Sequence, residues 1–332
     1  MSVGRFVLGA LVSAGALWLG WALFFEPSAP PAPPQTFASS RDCKSCHEEP
    51  YAEWEASWHA QSWTDPEVRT LSNDFANTDC IDCHAPRPVF ETGLGQRVLP
   101  RAARRVEGVD CLTCHLLPDG TIAGTVDNAA AACRPVGRRE LVQPELCAPC
   151  HDQHLTVQQW KATPFAQPGP GFKGCIDCHM PFRGGDPARG RDHTMHGGHD
   201  LALLRAAVEL RAQRSAGKVQ VALENVGAGH NFPTDERSRA ADIFWRPLAT
   251  QGATPGPWRH LYRFRNPYRY EVGLPNTELP HGQKVELELS EPDAAAAIEV
   301  ALFYKLSPYW KVPESPDPDV EAILVHRVEV AP

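Results

Sequence analysis

Five copies of the pattern Cys-x-x-Cys-His lie in one stretch of this chain, and they constrain its fold more than any other feature. In chain order, which numbers motifs 1 to 5 below, they are Cys43, Cys46 and His47; Cys80, Cys83 and His84; Cys111, Cys114 and His115; Cys147, Cys150 and His151; and Cys175, Cys178 and His179. The pattern is typical of c-type haem attachment, in which two thiols bond to the porphyrin and the histidine ligates the iron. The sequence therefore predicts five covalently bound haem c groups with five proximal histidines.

Two other interpretations of the cysteines are weaker. Paired Cys-x-x-Cys knuckles also bind zinc, but zinc does not require a histidine after every second cysteine. The segment from Cys147 to Cys150 taken alone resembles a thiol–disulfide motif. Ten of the eleven cysteines belong to the five motifs, so no disulfide framework is predicted. Cys133 is left over and is interpreted as a buried or idle thiol rather than a ligand.

The N-terminal residues 1–25 predict a membrane anchor. Residues 6–25 carry no charge, and a helix of that length spans the roughly 30 Å hydrocarbon core of a bilayer. The next segment, 26–40, begins rich in proline and alanine, which disfavours cleavage and favours a semi-extended tether; a cleaved signal peptide is the alternative. Arg5 before the span and Glu26 after it place the N terminus in the cytoplasm and the body in the periplasm. The expected location is the inner membrane.

The rest of the chain is expected to form two domains. Residues 41–200 hold all five motifs in too little polypeptide for a conventional aliphatic core, so short helices and loops around stacked haems are expected. In 201–332, Leu201–Ala212 has the spacing of a connecting helix. Period-two alternation over 219–223, 285–289, 298–302 and 323–328 predicts strands. The predicted fold class is a multihaem c-type cytochrome with a C-terminal antiparallel β-sandwich and an N-terminal transmembrane helix.

The distal ligand of each iron decides whether a haem only passes electrons or also binds a substrate. Methionine is scarce, and only Met195 is free of both the chain start and a motif, so two histidines per iron are the default. Nine of the fourteen histidines are not proximal ligands. The distal candidates among them are His59, His154, His193, His196, His199 and His230.

The candidates differ in their local patterns. His59 ends a helix-like run with Tyr51 and Trp54, whose rings would pack on a haem face. His154 is too close to His151 to reach the same iron and is expected to serve a neighbouring haem. His230 lies on a glycine-rich turn after a strand, from which it would reach the haem domain.

The remaining histidines fall into two groups. In the cluster His193, His196 and His199, one or two are expected to ligate, with His193 favoured and the others binding propionates; zinc is the alternative. The histidines at 260, 281 and 326 lie in strand-like surroundings and are expected to have surface or packing roles.

The charge of the chain limits its partners. The formal net charge is −8, and haem propionates would add to it, so nucleic acid is not an expected partner. Arginine and aromatic residues alternate over 258–270, a pattern that also occurs in single-strand nucleic-acid binding. The preferred interpretation is a strand or loop whose arginines pair with propionates or surface carboxylates. A redox protein with a positively charged docking face is the expected partner.

Three segments carry a family resemblance. Tyr51-x-x-Trp54-x-x-Ser57-x-His59 resembles the opening of the multihaem cytochromes related to the tetrahaem cytochrome c of ammonia oxidisers. That superfamily includes hydroxylamine oxidoreductase and octahaem nitrite and tetrathionate reductases. Gly108–His115 is similar to an internal haem motif there, and Gly229–Thr234 to a C-terminal segment of related membrane-linked cytochromes. The resemblance covers most of 41–237.

This resemblance implies electron transfer as the function, with His59 and His230 as distal ligands. The chain departs from the relatives in two respects. Asp235 stands where the resemblance predicts glycine, and five motifs match neither the four nor the eight of the best-known relatives.

The favoured function is a periplasmic, membrane-anchored relay of electrons from a quinol-oxidising membrane partner, such as a quinol dehydrogenase or another membrane cytochrome, to a soluble or outer-membrane acceptor. No catalytic residue is assigned. One alternative is a reductase of small nitrogen or sulfur oxyanions with one five-coordinate haem. Another is a structural haem subunit of a larger respiratory complex.

Overall fold

The computed structural model describes residues 36–234, 239–248, 255–268, 270–289 and 296–332. The predicted anchor at 6–25 and Asp235 lie outside these ranges. Within them, no helix is both long enough and apolar enough to cross a bilayer. Thr36–Pro332 forms one compact unit. The division of this unit near residue 200 therefore stays a prediction.

The motif-bearing part consists of short helices and loops, as expected. The α-helices in the described ranges span Glu48–Glu55, Trp58–Gln61, Pro66–Leu71, Ile81–His84, Val89–Thr92, Cys111–His115, Ala148–His151, Thr156–Lys161, Cys175–His179, Leu201–Ala207 and Pro318–Glu321. Single 3-10 turns span Ser40–Cys43, Thr78–Cys80, Arg105–Glu107, Arg139–Val142, Pro144–Leu146, Asp152–His154, Pro164–Ala166, Arg183–Gly185 and Pro187–Arg189. Four of the α-helices end at a motif histidine.

Polar caps explain why these helices are so short. Asp110 caps the helix of motif 3, because its side chain accepts the Thr113 N–H at 2.8 Å. The helix-like run before His59 is broken in two at Ser57, whose hydroxyl accepts the Ala60 N–H at 3.3 Å. Trp54 then anchors the first of these two helices by donating its indole N–H to the Val109 carbonyl at 2.8 Å.

The C-terminal part contains two antiparallel sheets. One has the order β3-β4-β7, with β3 Val208–Ser215, β4 Lys218–Asn225 and β7 Lys284–Leu289. The other has the order β6-β5-β8-β9, with β5 Ala240–Pro247, β6 Arg259–Phe264, β8 Ile298–Lys305 and β9 Ile323–Val330. A small parallel pair, β1 Ala123–Gly124 and β2 Val136–Gly137, lies among the motifs.

The two sheets share one hydrophobic core. The three-stranded sheet contributes Val208, Leu210, Val219, Val221 and Leu223, and the four-stranded sheet contributes Ile243, Trp245, Val300, Leu302 and Val325. This common core is the arrangement of a β-sandwich, in which apolar residues of two sheets face one another. The alternation in the sequence therefore indicated the correct class of structure.

Two details of the sequence prediction were wrong. The helix predicted over Leu201–Ala212 ends at Ala207, and β3 begins at Val208. Here Val208 and Leu210 are buried while Glu209 is exposed, so pairing with β4 overrides the helical spacing. Strand β8 also does not alternate: all eight of its residues are buried, because its second face is covered as well.

That second face holds aromatic rings and paired charges. Phe244 and Phe303 pack there with Trp258 and Trp310. Within the arginine-rich segment, Arg263 pairs with the fully buried Asp242 at 2.9 Å. The sequence predicted propionates or surface carboxylates as partners of these arginines, whereas Asp242 is a buried carboxylate.

Candidate haem-binding sites

Three motif histidines are oriented by backbone carbonyls. The Nδ1 atoms of His84 and His115 lie 2.8 Å from the carbonyl oxygens of Ser62 and Ala123, and Nδ1 of His179 lies 2.5 Å from that of His196. A carbonyl only accepts, so each Nδ1 carries the proton and each Nε2 keeps its lone pair. This tautomer is the one that ligates a metal through Nε2.

Two distal candidates have the same arrangement. Nδ1 of His193 donates to the Arg191 carbonyl at 2.9 Å, and Nδ1 of His230 donates to the Asn231 carbonyl at 2.8 Å. Their Nε2 atoms are therefore also left as acceptors. Both residues lie outside the motifs, so this shared hydrogen-bond pattern is independent of the Cys-x-x-Cys-His spacing.

Three motif histidines each face one distal candidate. The ring centroids lie 6.1 Å apart for His59 and His151, 6.5 Å for His115 and His193, and 6.2 Å for His179 and His230. Two imidazoles on opposite sides of one metal ion, each with a bond of about 2 Å and a centroid roughly 1.1 Å behind the nitrogen, would lie about 6.3 Å apart. The three observed spacings fit an iron atom between the rings.

Burial keeps these imidazoles neutral. It lowers the pKa of His59 to about 3 and that of His230 to about 4. Burial also lowers the pKa values of His115, His179 and His193. A neutral imidazole offers the lone pair that a metal requires, so the electrostatics of these pockets favour ligation.

The other distal candidates have different surroundings. Both ring nitrogens of His196 face carboxylates, Nε2 at 3.2 Å from Asp192 and Nδ1 beside Asp200. Burial opposes protonation, but these two carboxylates together raise the His196 pKa. This geometry disfavours His196 as an iron ligand, because neither nitrogen is left to bind a metal. Its backbone carbonyl serves instead to orient His179.

The roles of His154 and His199 as distal iron ligands stay predictions. His154 lies in the 3-10 turn Asp152–His154. The His199 ring packs 5.7 Å from the ring of Trp58. In motif 2, the His84 ring lies 5.8 Å from Phe75.

Cysteine contacts show which motifs are neighbours. The thiols of Cys43 and Cys111 interact electrostatically, and this raises the pKa of Cys43, which places motifs 1 and 3 side by side. Corresponding contacts join motifs 2 and 4 through Cys83 and Cys150, and motifs 4 and 5 through Cys147 and Cys175. These atoms would attach the porphyrins, so neighbouring thiols would bring the haems of neighbouring motifs close together.

Hydrogen bonds support the same neighbour relations. The hydroxyl of Ser40 accepts the Cys111 N–H at 3.0 Å, which ties motif 1 to motif 3. The Ser62 hydroxyl contacts the carbonyls of His59 and His84 at 2.8 and 2.9 Å. The Val109 N–H donates to the His59 carbonyl at 2.9 Å, which brings motif 3 close to the histidine that faces motif 4.

Sequence reasoning missed the residues that orient the ligands. The carbonyls of Ser62 and Ala123 carry no sequence signal, since every residue has one. The spacing of Asp192, His196 and Asp200, four residues apart in each step, was a usable signal that a histidine lies between two carboxylates.

Comparisons with known proteins agree with this geometry. Residues 42–116 match the sequence model of the family described as cytochrome c554 and c-prime. The fold is similar to a penta-haem cytochrome c552 from Thermochromatium tepidum, with a TM-score of 0.62, 19% identity, and coverage of 88% of this chain and 98% of that chain. The fold is therefore that of a multihaem c-type cytochrome, and the five motifs have the pattern of covalent haem c attachment.

Two further comparisons add nothing to this class. A superoxide reductase in the oxidised state aligns with a TM-score of 0.20 and 11% identity over 37% of this chain and 86% of its own, a score too low to carry an argument. No curated protein matches the chain. The relation to hydroxylamine oxidoreductase and the octahaem reductases stays a prediction.

Proposed function

We propose that this protein is a pentahaem cytochrome that relays electrons. The observation that carries the proposal is the set of three histidine pairs, His59 with His151, His115 with His193, and His179 with His230, at the spacing of two axial ligands. Haem held on both sides accepts and releases electrons without exchanging a ligand. The penta-haem relative and the five motifs support a count of five.

The neighbour relations between motifs support a branched path that connects all five motifs. Motif 1 contacts motif 3, motif 3 adjoins the distal histidine facing motif 4, and motif 4 contacts both motif 5 and motif 2. Electrons entering at motif 1 would reach motif 4, from which the path divides towards motifs 2 and 5.

The surroundings of the relay follow from the sequence. The apolar run at 6–25 supports attachment to the inner membrane with the body in the periplasm. In that location the upstream partner is a quinol-oxidising membrane protein, and the acceptor is a soluble or outer-membrane redox protein. The net charge of −8 supports a positively charged docking face on the acceptor.

Spin state tests the relay. Optical and electron paramagnetic resonance spectra of the purified holoprotein, with and without carbon monoxide, distinguish six-coordinate from five-coordinate iron. Entirely low-spin iron whose spectrum does not change with carbon monoxide supports a pure relay. The absence of any low-spin signal typical of two histidine ligands contradicts the proposed pairs.

A reductase of small nitrogen or sulfur oxyanions is the second candidate. The observation that favours it is that the three histidine pairs belong to motifs 3, 4 and 5, so motifs 1 and 2 are the candidates for an open iron. A high-spin fraction of about one haem in five that shifts with carbon monoxide would support this candidate. The substrates to screen would then be nitrite, hydroxylamine and sulfur oxyanions.

A further inference from the structure

One carboxylate links the helix after motif 1 to the histidine that faces motif 3. Glu53 lies on Glu48–Glu55, which begins directly after His47. Its two oxygens accept hydrogen bonds from Nε and Nη2 of Arg183, both at 2.6 Å. The same carboxylate accepts the backbone N–H of His193 at 2.9 Å. Three separate parts of the chain therefore meet at one side chain.

The Glu53–Arg183 pair is well sheltered from water. The side chains of Arg183 and Glu53 are 8% and 18% exposed. Arg183 is held further by donating from Nη1 to the Arg189 carbonyl at 2.7 Å. Bidentate contacts between arginine and carboxylate have a fixed geometry, and removal of one partner leaves a buried charge uncompensated.

The charge of Glu53 is favoured by its hydrogen bonds. Burial opposes its ionisation, but the bonds from Arg183 and from the His193 backbone outweigh burial and lower the Glu53 pKa. The carboxylate is therefore ionised at neutral pH and accepts hydrogen bonds from both groups.

His193 is fixed at both of its ends. Glu53 holds its backbone N–H, and the Arg191 carbonyl holds its ring Nδ1 at 2.9 Å. The ring then lies 6.5 Å from that of His115. A shift of about 1 Å at the backbone would move the ring by a comparable amount, which is large on the scale of a metal–nitrogen bond near 2 Å.

We propose that Glu53, together with Arg183, is a positioning residue that seats His193 opposite His115 and thereby sets the coordination of the iron at motif 3. The inference rests on the proposed pairing of His115 with His193. It also gives the helix after motif 1 a second role, since this helix carries the group that places a ligand of the neighbouring site.

The test compares three variants of the full holoprotein by electron paramagnetic resonance and by carbon monoxide difference spectra. Glu53→Ala should raise the high-spin fraction by about one haem in five and add a carbon monoxide response. Glu53→Gln keeps one oxygen for the His193 N–H but loses one of the two acceptors for Arg183, so its high-spin fraction should lie between those of the wild type and Glu53→Ala. Glu55→Ala is the control on the same helix, since Glu55 is exposed at its C-terminal end; it should match the wild type.

A fourth variant distinguishes the positioning role of Glu53 from the proposed role of His193 as an iron ligand. His193→Ala should give the full high-spin change. If it does and a haem-loaded Glu53→Ala protein matches the wild type, the positioning role is overturned. If His193→Ala itself matches the wild type, the pairing in the proposed function fails instead. If Glu53→Ala gives no haem-loaded protein, Arg183→Ala should show the high-spin change, and an unchanged spectrum there overturns the inference.

Discussion

The imidazole rings of His179 and His230 lie nearly parallel, at 11° and with centroids 6.2 Å apart, although they come from the motif region and from the β-sandwich. His179 ends motif 5, and His230 lies on the turn after β4. The buried Asn225 fixes this turn, because its Nδ2 donates to the carbonyls of His230 and Leu279, both at 2.9 Å. The sandwich therefore presents a histidine to the last motif.

Replacement of Asn225 should loosen this turn. Asn225→Ala removes both donations and the acceptor for the Ala228 N–H, and buried groups left without partners cost about 1–3 kcal/mol. We expect the free energy of unfolding to fall by about 2–3 kcal/mol and a high-spin signal to appear. Denaturant unfolding and electron paramagnetic resonance measure the two effects. The exposed Gln213→Ala on β3 is the control, with an expected change within about 0.5 kcal/mol; equal effects would contradict the role of Asn225.

The backbone at Gly108 lies so close to the carbonyls of His59 and Ala60 that only glycine fits at this position. A Cβ atom there would lie 2.3 Å from the His59 carbonyl oxygen and 2.7 Å from that of Ala60, at a φ of +58°. Gly108→Ala should displace the backbone of His59, lower the yield of haem-loaded protein and perturb the low-spin spectrum. Gly120→Ala is matched in φ, at +83°, but has no atom within 4 Å. This variant should lose only the free energy of the backbone strain, about 1 kcal/mol. A similar loss of haem-loaded protein in both variants would exclude the contact with the His59 carbonyl as the cause.

Glu107 should stabilise the protein in a pH-dependent way. It accepts hydrogen bonds from the Ser39 hydroxyl at 2.7 Å, the Ser40 N–H at 3.2 Å and Arg104 at 2.9 Å. Burial opposes ionisation, but these bonds lower the Glu107 pKa below its ordinary value of 4.5. We expect Glu107→Gln to reduce the free energy of unfolding by about 1–2 kcal/mol at pH 7.

The sign of the pH dependence follows from the lowered pKa. A carboxylate whose pKa is lower in the folded state than in the unfolded state stabilises the protein at pH values above the unfolded-state pKa. This stabilisation disappears as the pH falls through the folded-state pKa. The difference between wild type and Glu107→Gln should therefore narrow as the pH falls below about 4.5. Denaturant unfolding from pH 7 to pH 3 measures it, and a difference that widens in acid would contradict this account.

Cys133 should be dispensable for haem attachment. It is the one cysteine outside the five motifs. Cys133→Ser should keep the intact mass of five attached haems, apart from the substitution itself, and an unchanged absorption spectrum. The control Cys114→Ser removes one thioether of motif 3 and should lower haem occupancy. Loss of a haem from Cys133→Ser would show that this thiol belongs to a binding site.

The sequence carries the prediction of haem attachment because the chemistry of the motifs is local. Cysteine spacing predicts attachment without any knowledge of the fold, and the three histidines that face motif partners, His59, His193 and His230, were all among the candidates. Their partners were not predictable, since each pairing joins distant segments. The role of Glu53 was hidden for the same reason: its partners Arg183 and His193 lie far along the chain.

The sandwich was predicted in class but not in every strand. Helical spacing over Leu201–Ala212 conflicted with strand pairing, and the hydrogen bonds to β4 decided the outcome after Ala207. Strand β8 lacks alternation because both of its faces are covered, a tertiary property that no local pattern records.

The placement of His230 beyond β4 has a consequence for assembly. A chain is synthesised from its N terminus, so His59 exists before motif 4, whereas His230 appears only after motif 5 has been made. Motif 4 meets its facing histidine as soon as it emerges, but motif 5 must wait for the turn that Asn225 and Leu279 hold together. A chain truncated before β4 would carry all five porphyrin attachment points and still leave the last one incomplete. Completion of the proposed site at motif 5 therefore requires the turn after β4.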